Sequence, residues 1–112
     1  MKLTRKQLAS MYNMLAVFPP FDRYKMAKDV RIDFKITQAE MSMGLYEPDP
    51  HTICVSKTSN KTYQDVLETL AHEMIHLALE VKGSPSHHNH CSEFNALAAE
   101  ICNQWGWNFK EF

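Results

Sequence analysis

The residues with the most specific chemical potential lie together at His72-Glu73-Met74-Ile75-His76. On a helix, side chains four positions apart leave the same face one turn from each other, so both imidazoles can reach a single cation. Glu73 stands about 100° further round the axis, where a carboxylate can meet a water at that cation without ligating it. Two imidazoles and an adjacent carboxylate suit metal-assisted hydrolysis, with the carboxylate moving protons.

This H-E-x-x-H spacing is a zinc-protease pattern, and a catalytic zinc takes three protein ligands while leaving a fourth position open. The third ligand must come from elsewhere. The extended spacing that adds a glycine and a third histidine fails, because Leu79 and Lys82 stand at those positions. The segment 86–93 offers His87, His88, His90 and Cys91, and Glu93 or Glu100 would serve as a carboxylate ligand. His90 is the expected third ligand, with His87, His88 and Cys91 left open as replacements or supplements. A structural histidine pair and a histidine-rich loop with no metal role are the plainer readings of the same residues.

These side chains need a rigid support. Thr62 caps a helix predicted over 63–81, with Asp65 in its first turn and Gly83-Ser84-Pro85 as its stop. Val66, Leu67, Leu70, Met74, Leu77 and Ala78 form one apolar arc, and His72 and His76 fall opposite it. A last helix begins near 90–92 and carries Phe94, Leu97, Ala98, Ile101, Cys102 and Trp105 on one face, with Gly106 as its cap. At the other end, Leu3 to Phe18 has helical apolar spacing, a Thr4/Gln7 capping box and Pro19-Pro20 as its terminator. Between them, 30–36 alternates as a strand with one wet face, and 41–46 and 51–56 read as a hairpin turning at Glu47-Pro48-Asp49-Pro50. The expected order α, β, β, β, α, α defines an α+β fold with a small three-stranded sheet.

A chain of 112 residues, 45% apolar and 22% charged, is expected to form a single globular domain over 1–112. No run approaches the roughly 18 apolar residues of a membrane span, and no apolar signal core follows Met1, so the expected location is the cytoplasm. The odd set Cys54, Cys91 and Cys102 contains no C-x-x-C pair and is expected to be buried filler. The net charge of -1 conceals a basic N-terminal third, with eight basic and three acidic residues in 1–35. Such a dipole can steer an anionic partner such as a nucleic acid, but no aromatic-interleaved basic run accompanies it, which favours solvated element faces. His51 at the hairpin turn is expected on the surface, the seven methionines as core filler, and Trp105 and Trp107 as seals of the core.

His72-Glu73-x-x-His76, then His90-x-x-x-Phe94, together with Met43-Gly44-Leu45-Tyr46 and Ile53-Cys54-Val55-Ser56, resemble the SprT-like family of minimal zinc metallopeptidases, the zincins, over residues 5–107. In that family the third histidine opens an H-G-x-x-F pattern, which maps onto His90 to Phe94 with Cys91 in place of glycine. The resemblance implies a zinc-dependent endopeptidase with Zn2+ at His72, His76 and His90. Zinc would polarise a water whose proton passes to Glu73 and then to the leaving amine. It also implies a protein or peptide substrate and makes DNA-associated proteins a thinkable class. The alternative from another class is a zinc-stabilised adaptor without turnover, closed by a fourth ligand.

Overall fold

The computed structural model describes residues 2–26, 31–40, 42–84 and 90–112. Helix α1, Arg5–Ala16, starts at the expected capping box: the Thr4 hydroxyl accepts the Gln7 amide proton at 3.2 Å, and the Thr4 amide donates to the Gln7 side chain at 2.9 Å. It is shorter than its periodicity predicts and ends before Pro19-Pro20, with Val17 as its cap. Leu8, Tyr12, Leu15 and Ala16 are its buried stripe, whereas Phe18, expected on that stripe, is exposed beyond the helix end. A 3-10 turn at Phe21–Tyr24, not anticipated from the sequence, buries Phe21.

Strands β1 (Asp33–Thr37), β2 (Gly44–Glu47) and β3 (Thr52–Ser56) form one sheet in the order β1-β3-β2. The expected hairpin is present as the antiparallel β2–β3 pair, with Tyr46 opposite Ile53. β1 pairs with β3 in parallel, Phe34 opposite Ile53 and Ile36 opposite Val55. These registers put Phe34, Ile36, Ile53, Val55, Tyr46 and Gly44 on one face and leave Lys35, Cys54 and Leu45 on the other. The first face is the sheet's contribution to the core, since Ile53, Val55 and Tyr46 are buried.

Helix α2, Tyr63–Lys82, crosses beneath that face. Thr62 and Asp65 make a full capping box, and Gly83 closes the helix at φ 84°, a left-handed conformation that glycine adopts without strain. The expected single apolar arc needs correcting: Leu67 is only half-buried, while Ala71, Glu73, Ile75, His76 and Leu79 are buried along with the rest of the arc. A helical wheel reads a helix against solvent, but α2 touches β2, β3, α1, the Phe21–Tyr24 turn and the last helix, so little of its circumference meets water. Helix α3, Ser92–Trp105, packs on it through Phe94, Leu97, Ala98 and Ile101 and ends at Gly106 with φ 74°. A second unanticipated 3-10 turn, Phe109–Glu111, follows and leans back on α3. With three helices and a three-stranded sheet among the described residues, the architecture is α+β.

Cys54 and Cys102 are free thiols. Cys102 is buried as expected, but Cys54 and Cys91 are only half-buried, Cys54 because it lies on the outer face of β3. No helix among the described residues is long and apolar enough to cross a membrane.

Candidate metal centre

Three imidazoles converge where α2 meets the entry to α3. His72 and His76 stand one turn apart on α2, and His90 lies just before the Cys91 cap of α3. One ring nitrogen from each, all within 4.8 Å of one another, can face a common point. Nε2 of His72 and Nε2 of His90 lie 3.2 Å apart. Two nitrogens bound to one tetrahedral zinc at 2.0–2.1 Å are separated by roughly 3.3 Å, so this edge already has the required length. The donor set therefore fits a zinc ion.

Phe94 supports all three rings. Its centroid lies 4.9 Å from His72, 4.8 Å from His76 and 4.4 Å from His90, and its side chain is buried. Because His90 and Phe94 are four residues apart at a helix entry, the buried ring holds the otherwise exposed imidazole in a stacked contact. That is a physical reason for the His90-x-x-x-Phe94 spacing.

Burial sets the electrostatics. Desolvation, followed by the proximity of His76 and His90, pushes His72 down to about 4, so its imidazole is neutral at pH 7 and offers a lone pair. The His72 Nδ1–H donates to the main-chain oxygen of Phe112 at 3.2 Å. Glu73, 7% exposed, is pushed up to about 7 by burial, an effect opposed by a hydrogen bond from the Tyr46 amide of β2. Both the cluster and Glu73 open onto a cleft of about 500 Å³, whose far wall includes Met43, Gly44 and Leu45 at the start of β2.

The structure brings together His72, Glu73, His76 and His90. The two carboxylate alternatives are not part of that group and have partners elsewhere. Glu93 accepts hydrogen bonds from Lys82 Nζ at 2.7 Å and the Ser84 hydroxyl at 3.1 Å, and Glu100 pairs with both terminal nitrogens of Arg23 at 2.8 and 3.0 Å. Cys91 packs against the core edge and is not part of the histidine group. His87 and His88 lie outside the described residues. His51 is half-buried instead of a plain surface residue, with Nδ1 2.6 Å from the Tyr46 hydroxyl and its ring stacked on that tyrosine.

Sequence reasoning missed the residues that set the height of β2 over α2. Asn60, wholly buried, donates to the carbonyls of Met43 at 2.8 Å and Ser56 at 2.7 Å, and accepts the Thr69 hydroxyl at 2.7 Å. It sits in a polar run that reads as an ordinary loop. Its only local signal is the Asx-type bonding that asparagine favours next to a helix start.

A sequence model of the SprT-like family matches residues 10–110. No curated protein and no solved structure gives a significant match.

Proposed function

The chain belongs to the SprT-like family, and from that membership and the histidine cluster we propose that it is a zinc-dependent endopeptidase. The observation that carries the reading is the convergence of His72, His76 and His90 beside Glu73 at one end of an open cleft. Zinc held by those three imidazoles supplies positive charge that acidifies water and polarises a carbonyl.

The remaining work falls to the chain. Glu73, which lines the cleft next to His72, takes a proton from the attacking water as the new C–O bond forms and then delivers it to the leaving amine nitrogen as the peptide C–N bond breaks. The Tyr46 amide fixes that carboxylate by donating to it. β2 is an edge strand of the sheet and its first residues line the cleft, so an extended substrate can pair along it and pass the cluster. Proteins associated with DNA are the substrate class we put forward from the family resemblance and the basic N-terminal third, with the nucleic acid as a steering partner.

The competing reading, a zinc-stabilised adaptor, needs a fourth protein ligand. Among the described residues none joins the three histidines, and a closed structural site has no use for a carboxylate beside it. The deciding experiment measures zinc content and cleavage of a denatured protein by the wild type, Glu73→Gln and His90→Ala, with and without single-stranded DNA at several salt concentrations. Full zinc with lost cleavage in Glu73→Gln supports the peptidase. Cleavage that survives Glu73→Gln overturns it.

A further inference from the structure

We infer that the main-chain oxygen of Phe112 is the positioning partner of His72, which makes the segment 109–112 a working part of the metal centre and not a trailing end of α3. The contact is the 3.2 Å approach of His72 Nδ1 to that oxygen. A main-chain oxygen can only accept, so Nδ1 must carry the ring proton. The lone pair is then on Nε2, the atom that lies 3.2 Å from Nε2 of His90 and faces the cluster. One hydrogen bond thus selects the tautomer and aims the ring.

The partner is itself held in place. The Phe112 ring stacks on Trp107 at 6.2 Å, Trp107 stacks on Trp105 of α3 at 6.0 Å, and the Trp107 amide donates to the Cys102 carbonyl at 2.9 Å. The Phe112 amide donates to the Phe109 carbonyl at 3.3 Å. On its inner side the Phe112 ring lies 5.5 Å from the His72 ring and lines the cleft beside it. Helix α3 therefore governs two ligands: His90 directly at its entry and His72 through the aromatic stack at its exit. The consequence for metal affinity rests on the zinc reading above, whereas the tautomer assignment does not.

The test uses the intact chain and two variants, one lacking residues 109–112 and one carrying Phe112→Leu, which keeps the main-chain oxygen and an apolar side chain. In the metal-free intact chain, nitrogen-15 imidazole shifts should show His72 protonated at Nδ1. Removing 109–112 should release that preference and weaken zinc binding 10–100-fold in chelator competition, and Phe112→Leu, which keeps the oxygen but loses the stack on Trp107, should weaken it by less than the deletion does. Protonation of His72 at Nε2 in the intact chain overturns the inference. Unchanged zinc affinity after removal of 109–112 overturns it too. If the shortened chain fails to fold, the proton assignment in the intact chain still decides. An intact chain that takes up no zinc but holds the Nδ1 proton sinks the peptidase reading and leaves this contact standing.

Discussion

Gly44 of β2 and Glu73 of α2 lie so close that a β-carbon on the glycine would stand 3.2 Å from Cγ of the glutamate, and 2.6 Å from the Thr69 methyl group. The strand reaches the helix at this point only because residue 44 has no side chain. That approach lets the next residues of β2 pass over α2 and brings the Tyr46 amide to the Glu73 carboxylate.

Gly44→Ala should therefore push β2 away from α2. The expected cost is about 1–3 kcal/mol of stability by denaturant unfolding, as for other overpacked sites. Because Glu73 loses its alignment while the histidines do not, cleavage should fall at least tenfold with zinc content unchanged. Equal activity in the alanine variant would show that the close approach has no bearing on Glu73.

Glu73→Gln should retain zinc and lose cleavage by a factor of order 10²–10⁴. In metal-free protein the same variant reports on burial. Glu73 is raised from its ordinary 4.5 to about 7, so between those values the folded state keeps a proton that the unfolded chain has released. Wild-type stability then declines as pH climbs through this window, and the whole penalty is present above it. Glutamine does not titrate. Its stability advantage should grow from near zero below pH 4 to about 3 kcal/mol at pH 8. His72, pushed down to about 4, is common to both proteins and cancels in the difference. A flat difference between pH 4 and 8 would mean that Glu73 is not desolvated.

His90→Ala and Glu93→Gln separate the two kinds of third ligand. Loss of a direct ligand must cost at least the 10–100-fold typical of losing its supporting partner, so His90→Ala should lower zinc affinity by on the order of a hundredfold or more. Glu93→Gln should leave zinc unaffected, since its carboxylate is engaged with exposed Lys82. Chelator competition reads both.

Asn60→Ala removes one side chain that serves Met43, Ser56 and Thr69 at once. It leaves the Thr69 hydroxyl without its acceptor in a buried place, and the expected loss is about 2–3 kcal/mol. For contrast, Arg23→Ala breaks an ion pair whose side chains are 53% and 39% exposed, and should cost less than about 1 kcal/mol. A larger effect at Arg23 than at Asn60, by chemical unfolding, would reverse this ranking.

Much of the fold was legible because it is local. Thr4 with Gln7, Thr62 with Asp65, Gly83 and Gly106 bracket the helices through contacts spanning only a few residues, and the structure has them all. The alternation at β1 and β3 was legible too, but not that β1 joins β3 in parallel with β2 on the far edge. Periodicity tells which face of a strand is apolar and is silent about its neighbour.

The sequence by itself determined that His72, Glu73 and His76 share one turn of a capped helix, because four-residue spacing and helical pitch leave no other outcome. It narrowed the third imidazole to a short segment and did not single one out by geometry. Tertiary structure decided that His90 reaches the pair, that Phe94 lies under all three rings, and that Phe112 meets His72 from 40 positions away. It also decided that α2 is buried nearly all round, which is what desolvates Glu73. Contacts of that range depend on how whole elements pack, and packing is a property of the assembled core that no local window of residues contains.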